Sequence, residues 1–394
     1  MTAGRAGANN RAVTGLRSSL VWRPRAVTLA LGLLIALVAG CQQEERTPAR
    51  FTPLALEQSG PPRAYRLGFS ALPAALSDDA YLAAFDLAAN YGEVLLIQRP
   101  PTWADFLPGA LLSSGLRDVT LSERAAIEDR DLLLLFALDV FDPTDRGRLA
   151  ALPAGYEGRD LADRALRQAF VAEAKYVALN YRPTYLVLGS EVNAAFERSP
   201  AAYRAFVEAY EEAYDAVKQA SPNTLVFPSF QYEQLLGRIP WEPAHVPRWE
   251  LLEDFDGRLD MFAITTYPSF VFSVARKLPG PYYLQIREHT TREVAFVSVG
   301  YASAPGREGL NSSTPAEQRR FLERLLRDAD ALGATLVVWF AARDPAYAAE
   351  PPLDLLASIG LRDSEGEPKE AWPAWEEAVR RPYDREIALM PPVP

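Results

Sequence analysis

The chain has 394 residues, of which 49% are hydrophobic and 23% charged, with a formal net charge of −10 and one cysteine. This composition is typical of a folded globular protein and excludes the disordered and fibrous classes. Because nucleic-acid binding requires basic patches, the acidic balance argues against such a partner, and a single cysteine excludes an internal disulfide.

The first 40 residues have the pattern of an export signal. Five arginines and no acidic residue precede an uncharged apolar run at 26–40. That run is shorter than the apolar segment that a transmembrane helix normally needs, and it fits the hydrophobic h-region of a signal peptide. It ends in Val-Ala-Gly-Cys41, which resembles the bacterial lipobox. The resemblance implies that Cys41 is lipidated and becomes the first mature residue, with a spanning anchor and an incidental cysteine as the alternative.

Removal of residues 1–40 takes away five of the 41 basic residues and none of the 51 acidic ones, which leaves a net charge of about −15. Segment 42–62 is polar and contains prolines, which predicts a tether. We therefore expect a signal peptide at 1–40, a tether at 41–62, one folded domain at 63–383 and a tail at 384–394. The lipid is expected to hold the protein at the periplasmic or extracytoplasmic face of a bacterial envelope.

Eight short apolar runs alternate with helical patterns from Tyr65 onward. Each run has the length and β-rich composition of a buried parallel strand. The predicted strands are Arg66–Phe69, Glu93–Ile97, Leu132–Leu138, Tyr185–Leu188, Thr224–Phe227, Met261–Thr265, Val294–Val297 and Thr335–Phe340. The helical patterns include Pro200–Ala220, which has an apolar stripe and Ser199 as its N-cap, and a helix that opens with a capping box at Thr314–Glu317.

This alternation predicts an α/β fold, a single-domain (β/α)8 TIM barrel. An open doubly wound sheet, as in a solute-binding lipoprotein, is the main competitor. No composition break marks the hinge that a two-lobed binder needs, which favours the barrel. In such barrels catalytic groups collect at the C-terminal ends of the strands, because the loops there vary while the barrel stays rigid.

Several chemistries lack the residues that they need. The two histidines, His245 and His289, lie in a proline-rich loop and near the end of a helical segment, so a Ser–His–Asp site is not expected. Zinc sites need clusters of histidine and cysteine, and the sequence has two histidines and one cysteine. A glycine-rich nucleotide-binding motif is also absent after every predicted strand. We therefore expect no metal and no cofactor. The remaining possibility is a site in which carboxylates are the functional groups and aromatic rings form the lining.

Polar and aromatic side chains follow the predicted strands. They are Trp103, Asp139, Glu191, Asn193, Glu233, Tyr267, Ser298, Tyr301, Trp339 and Asp344. Carboxylates, amides and flat rings on one concave face suit a sugar, whose C–H faces stack on rings while its hydroxyls form hydrogen bonds. Trp103 follows two prolines in a loop and is expected to be exposed. Glu191, at the end of the fourth strand, is the candidate proton donor for glycoside cleavage, with a solvated glutamate at a helix entrance as the alternative.

Four segments together resemble the large clan of (β/α)8 glycoside hydrolases that includes cellulase-like and endo-β-galactanase-like enzymes. The segments are Gly189–Asn193, Ile264–Pro268, Val297–Ser303 and Val338–Pro345. In that clan the acid/base glutamate of strand four follows an asparagine, and a nucleophilic glutamate ends strand seven. The resemblance gives the acid/base role to Glu191 and sugar stacking to Trp339. Ser190 and Ser298 occupy the other two positions.

The serine at position 298 weakens the hypothesis of an enzyme, because an unactivated serine cannot replace a carboxylate that stabilises positive charge. A retaining mechanism would take its second carboxylate from elsewhere, with Glu233 the nearest candidate and Asp139 or Asp344 behind it. An inverting mechanism needs only a wider separation of the two carboxyl groups, with water between them.

Two functional hypotheses remain within this fold. The first is a glycoside hydrolase that acts on a β-linked polysaccharide or oligosaccharide, with Glu191 as acid/base and Glu233 as the second catalytic group. The second is a pseudoenzyme that binds glycan and hydrolyses it poorly or not at all. The other strand-end residues would bind the sugar, although Tyr267, Trp339 and Asp344 could instead serve the barrel itself. A solute-binding lipoprotein is a third hypothesis, and in each case we expect a monomer.

Overall fold

The computed structural model of the chain describes residues 51–306, 310–348, 350 and 353–389. Cys41 and the predicted signal peptide lie outside these residues, so the lipidation site and the division into segments stay predictions. Among the described residues, no helix combines the length and the apolar character that crossing a bilayer requires.

In the part of the chain that the structure describes, nine parallel strands form one sheet, and two further strands form a separate antiparallel hairpin. The strands are β1 Arg66–Ser70, β2 Val94–Arg99, β3 Leu133–Leu138, β4 Phe141–Asp142, β5 Asp145–Leu149, β6 Tyr185–Leu188, β7 Leu225–Phe227, β8 Ser229–Gln231, β9 Phe262–Thr266, β10 Val294–Val299 and β11 Leu336–Trp339. The order in the sheet is β7-β6-β3-β2-β1-β11-β10-β9-β8, and β4 pairs with β5 in the hairpin. All eight predicted strands are confirmed.

The two end strands of the sheet, β7 and β8, are halves of one strand that Pro228 interrupts. Proline has no N–H to donate to a ladder, so a strand breaks or bulges where it occurs. On one side of the break β7 pairs with β6, and on the other β8 pairs with β9. The N–H of Ser229 still donates to the carbonyl of Gly189 at 3.1 Å. The sheet therefore curls into a nearly closed barrel, which confirms the predicted TIM-barrel fold and excludes the doubly wound sheet.

Helices surround the barrel. They are α1 Asp78–Asn90, α2 Trp103–Phe106, α3 Ser114–Asp129, α4 Arg164–Asn180, α5 Val192–Arg198, α6 Pro200–Ala220, α7 Tyr232–Leu235, α8 Pro315–Leu332, α9 Trp372–Arg380 and α10 Arg385–Ala388. The α6 helix begins as predicted, with the Ser199 side chain accepting from the N–H of Ala202 at 3.3 Å. Between β9 and β10 the expected α-helix is replaced by short 3-10 segments, of which the longest is Leu284–Glu288.

The capping box predicted at the start of α8 is only half formed. The Thr314 hydroxyl accepts from the N–H of Glu317 at 3.2 Å, as expected of an N-cap. The Glu317 carboxylate, however, accepts from the N–H of Ala275 at 2.8 Å. The glutamate thus joins α8 to the 3-10 segment Ala275–Lys277 of the preceding loop.

Residues 51–62, which the sequence assigns to the tether, contact the face of the barrel where the strands begin. The N–H of Phe51 donates to the carboxylate of Asp129, the last residue of α3, at 3.1 Å. The N–H of Leu54 donates to the side chain of Asn90, the last residue of α1, at 2.9 Å. This segment therefore leaves the barrel on the face opposite to the C-terminal strand ends.

Candidate functional site

Glu191 lies at the turn between β6 and α5, where the sequence places it. Gly189 and Glu191 both have left-handed backbone, with φ of 86° and 55°. At Gly189 a Cβ atom would come within 2.5 Å of the Phe206 ring, so only glycine fits. At Glu191 the same backbone region disfavours an ordinary side chain by about 1–2 kcal/mol. Such strain collects at functional sites, and here it lies on the candidate acid.

One arginine joins two carboxylates at the mouth of the barrel. Arg146, on β5, donates through Nη1 to both oxygens of Asp139 at 2.8 Å and through Nη2 to Glu191 Oε2 at 2.8 Å. Asp139 also accepts from the amide of Gln98 at 3.0 Å, and Glu191 accepts from the hydroxyl of Thr265 at 2.9 Å. The Asp139 side chain is 8% exposed and that of Glu191 is 20% exposed. Glu191 is thus the more accessible carboxylate of the pair.

The opposite charges of Arg146 and of the two carboxylates, Asp139 and Glu191, stabilise one another. Burial raises the pKa of Asp139, and the Arg146 guanidinium opposes that rise. Burial alone would lower the pKa of Arg146, but the charges of Asp139 and Glu191 outweigh it and hold this pKa above its ordinary value. Arg146 therefore stays a cation between two acidic groups. Its Nε atom is buried and has no hydrogen-bond partner, so the three charges are not fully satisfied.

Arg146 is not among the residues that the sequence predicts for the site. It lies on the β4–β5 hairpin after the third barrel strand and meets Glu191 across 45 positions of sequence. No spacing rule connects an arginine in a loop to a glutamate in the next strand–helix turn. Its one sequence signal is a basic residue in a loop that follows a strand-end carboxylate, and that signal is weak.

Ser298 and Tyr267 form a second polar group at the mouth. The hydroxyl of Ser298, the penultimate residue of β10, is 2.7 Å from the Tyr267 hydroxyl, and both side chains are at most 8% exposed. Burial, with the charge of Glu191, raises the pKa of Tyr267, so the phenol stays protonated and can donate. The Tyr267 ring stacks on Phe270, with ring centroids 5.6 Å apart, and meets Phe340 edge-on at 6.1 Å.

Glu233, the candidate second catalytic group, is completely buried. Its carboxylate accepts from the Thr266 hydroxyl at 2.6 Å, the Gln231 amide at 2.6 Å, and the Tyr282 hydroxyl and the Tyr267 N–H at 3.0 Å each. Burial raises the pKa of Glu233, and these donors oppose the rise. A carboxylate with four donors and no exposed surface links the ends of β8 and β9 to the loop that follows β9, and it offers no face to a substrate.

The two tryptophans among the predicted binding residues lie inside the protein. Trp103 was expected to be exposed, but it begins α2 and is 1% exposed, with its indole N–H donating to Ala150 O at 2.8 Å. The short helix after the two prolines turns this ring inward. Trp339 is fully buried, and its indole N–H donates to Ile359 O at 2.7 Å. Neither ring presents a surface on which a sugar could stack.

Three further predicted binding residues also have internal partners. Tyr301 is fully buried and stacks on Phe321 of α8, with ring centroids 4.8 Å apart. Asn193 is 1% exposed, and its side-chain amide pairs with the backbone N–H and carbonyl of Gln231 at 2.8 and 2.9 Å. Asp344 forms an ion pair with Lys369 at 2.6 Å. The structure thus brings Asp139, Glu191, Tyr267 and Ser298 to the mouth and places the other candidates below or beside it.

An exposed tryptophan lies beside this mouth and was not among the predicted residues. Trp241 is 53% exposed on the loop between β8 and β9, and its ring centroid is 6.0 Å from that of Phe270. Trp241, Phe270, Tyr267 and Phe340 follow one another in contact, and we call them the aromatic row. A tryptophan that directly follows Pro240 in a polar, proline-rich loop is the sequence signal that could have found it.

In the part of the chain that the structure describes, no group of three or more histidine, cysteine, aspartate or glutamate side chains is placed to hold a metal ion. The carboxylates at the mouth are compensated by Arg146, which occupies the position that a cation would need. The arrangement supplies hydrogen-bond acceptors, two hydroxyls and a flat apolar wall, which together can bind a molecule rich in hydroxyl groups.

Comparisons with solved structures agree with the fold. An exo-β-1,4-mannosidase from Opitutaceae bacterium strain TAV5 superposes with a TM-score of 0.64 at 17% identity, over 86% of this chain and 64% of that one. GH5_18 from Bifidobacterium longum subsp. longum gives 0.60 at 15% identity, over 80% and 78%. Xylanase 10B from Thermotoga maritima gives 0.56 at 11% identity, over 82% and 96%.

No protein-family model matches the chain, and no curated protein matches it in sequence. The chain spans less than two thirds of the length of the mannosidase that it resembles. At these identities the likeness concerns the fold. The chain is a TIM barrel that is structurally similar to (β/α)8 β-glycoside hydrolases, at a distance that sequence comparison alone does not bridge.

Proposed function

We propose that this chain is a bacterial envelope lipoprotein that binds a β-linked oligosaccharide at the barrel mouth and lacks retaining glycosidase activity. One observation carries the proposal. The sequence resemblance assigns the nucleophile position to Ser298, and in the structure the Ser298 hydroxyl lies 2.7 Å from the Tyr267 phenol. The phenol is no base, so nothing in this contact activates the serine.

The absence of a nucleophilic carboxylate at this position matters because of the charge that glycoside cleavage creates. A retaining mechanism uses two carboxyl groups about 5–5.5 Å apart, one of which attacks the sugar and stabilises an oxocarbenium-like transition state. A neutral hydroxyl stabilises that charge far less than a carboxylate does. Glu233 cannot take over, because it is fully buried and its carboxylate accepts four hydrogen bonds.

Glu191 retains a role in binding. Its Oε2 pairs with Arg146 while its side chain stays 20% exposed, so it can accept a hydrogen bond from a sugar hydroxyl. The half-buried rings of Phe270 and Phe340 supply the apolar surface that the C–H face of a pyranose requires. A GH5_18 variant from Bifidobacterium longum has been solved in complex with Manβ1-4GlcNAc, which makes β-1,4-linked mannosides reasonable first probes.

A second function is favoured by one specific feature, the attachment of Asp139 and Glu191 to the same guanidinium. An inverting hydrolase needs an acid and a base about 6.5–9.5 Å apart with a water molecule between them. In this alternative Glu191 is the acid and Asp139 the base. Arg146 would have to leave the space between them before water could enter.

The test combines binding and turnover. Wild type, Glu191→Gln and Ser298→Glu are titrated calorimetrically with β-1,4-linked oligosaccharides of mannose and of xylose, and released reducing ends are measured. We expect wild type to bind without turnover, Glu191→Gln to bind more weakly, and Ser298→Glu to raise hydrolysis above the wild-type background. Glu208→Gln, at an exposed position on α6, is the matched control for charge removal. Wild-type turnover that Glu191→Gln abolishes would overturn the proposal in favour of the hydrolase.

A further inference from the structure

Trp241 is held at the surface by a loop that is fixed at several points. Glu242 forms an ion pair with Arg198 at the end of α5, and His245 lies 3.6 Å from Glu197 of the same helix. At the base of the loop Gly237 has φ of 63°, and a Cβ atom there would collide with the backbone of His245. The exposed position of this indole therefore follows from a tightly packed loop and is not that of a loose end.

The exposed ring continues an apolar surface that is separate from the main core. Tyr267, Ala341 and Ile359 form a small buried cluster of their own, against which Phe270 and Phe340 pack half-buried. Trp241 extends this surface outward from Phe270 across the boundary between two neighbouring loops. Single exposed apolar residues are normal on proteins, but the exposed ring of Trp241 contacts the half-buried ring of Phe270, and the two form one continuous patch.

This patch leads directly to the polar groups of the mouth. Tyr267, in the middle of the aromatic row, contacts Ser298 through its hydroxyl, and its phenol feels the charge of Glu191. A ligand that pairs with Glu191 and covers Phe270 would therefore have Trp241 as its next neighbour. Flat rings with polar groups on one side only are suited to a ligand that is apolar on one face and hydroxylated at its edges.

We propose that Trp241 and Phe270 form a second sugar subsite, so that the ligand is a chain of at least two β-linked units that runs from the mouth outward across Trp241. This inference rests on the proposed carbohydrate-binding function. The unit at the mouth meets Glu191, Ser298 and Tyr267, and the next unit stacks on the indole. A single sugar then uses only part of the surface, and affinity rises with chain length.

The experiment is a calorimetric length series, with mannose and xylose and their β-1,4-linked oligomers of two to six units as probes. Wild type is expected to bind the two-unit ligand about tenfold more tightly than the monosaccharide, the factor that one good stacking contact supplies. Trp241→Ala should lose this increase while its monosaccharide affinity stays unchanged. Trp241→Phe should keep most of it, because a flat ring remains.

The outcomes separate the two proposals. Leu111→Ala removes another exposed apolar side chain, 90% exposed and outside the aromatic row, and should bind every ligand as wild type does. If Trp241→Ala keeps the full length dependence, the subsite is overturned while carbohydrate binding stands. If wild type binds no ligand of either series, both proposals fail, and the patch is then better explained as a contact surface for a protein.

Discussion

The guanidinium of Arg146 is the charge on which the geometry of the mouth depends. It compensates the negative charges of Asp139 and Glu191. The Asp139 side chain is nearly inaccessible to water, whereas the Glu191 side chain is partly exposed. Replacing a buried ion pair by apolar groups can be harmless, but removing one partner leaves the other charge buried and unpaired. Asp139 would then keep only the Gln98 amide and a 3.4 Å contact with the N–H of Ser190.

We predict that Arg146→Ala destabilises the fold by about 3–5 kcal/mol at pH 7. Burial already raises the pKa of Asp139, and loss of the arginine raises it further. A raised folded-state pKa means that ionisation of Asp139 costs stability as the pH rises, so the penalty should shrink toward pH 4. Urea unfolding at both pH values measures it.

Two further variants make this prediction specific. Arg148→Ala, at an exposed position on the same β5 strand, should change the free energy of unfolding by less than about 0.5 kcal/mol. Asp139→Asn combined with Arg146→Ala should recover much of the lost stability at pH 7, because no buried charge is left. A penalty that is equal at pH 4 and pH 7 would contradict an electrostatic origin.

For single residues, the sequence predicts which of them lie at strand ends better than it predicts whether their side chains are buried or exposed. It places Glu191, Asp139, Tyr267 and Ser298 at strand ends, because the strands themselves are easy to find. It does not tell which way a side chain points, and Trp339 and Tyr301 turn toward Phe321 of α8. Their aromatic rings could stack on a sugar, but packing against the helix places both rings in the protein interior.

At the scale of elements, one carboxylate fastens a helix to a loop at the end of β2. Glu173, on α4, accepts from the backbone N–H of Thr102 at 2.9 Å and from its hydroxyl at 2.8 Å. The side chain is 4% exposed, and burial raises its pKa from 4.5 to about 7. The Glu173 carboxyl group in this contact therefore changes from its neutral, protonated form to its charged form near physiological pH.

We predict that Glu173→Gln stabilises the protein at pH 8 and changes little at pH 4. A group whose folded pKa is raised contributes stability below its unfolded pKa and loses it as pH rises through its folded value, here between about 4.5 and 7. Glutamine stays neutral throughout and should gain roughly 2–3 kcal/mol at pH 8. Urea midpoints at the two pH values provide the measurement, with Glu208→Gln as an exposed control. A variant that is less stable than wild type at pH 8 would show that the charged form is favoured.

The elements themselves show where sequence patterns succeed. Buried parallel strands are continuous apolar runs, so all eight were found to within a few residues. The segment between β9 and β10 was expected to hold an α-helix and instead forms 3-10 turns. Pro268, Pro279 and Pro281 interrupt that segment, and a helix interior does not accept proline. Counting strand–helix alternations predicts the correct barrel even though the connection between β9 and β10 contains no α-helix.

For the molecule as a whole, Cys41 predicts attachment to a membrane through an N-terminal lipid. We expect the protein to fractionate with membranes and to need detergent for release, because a lipidated N-terminus partitions into the bilayer. Cys41→Ser should move it to the soluble fraction. Mass spectrometry of the N-terminal peptide should find a lipid on Cys41 and no residue before it. An unmodified cysteine, or fractionation that the serine variant leaves unchanged, would contradict the prediction.

The contacts of Phe51 and Leu54 with the ends of α3 and α1 give that attachment a direction. The tether joins the barrel at the face where the strands begin, so this face is the nearer one to the point where the N-terminus is fixed. Nine residues separate Cys41 from Phe51, enough for roughly 30 Å when fully extended. If Cys41 carries the predicted lipid, the tether joins the face opposite to the barrel mouth, and the carbohydrate proposed as the ligand would reach the mouth from the side that faces away from the bilayer.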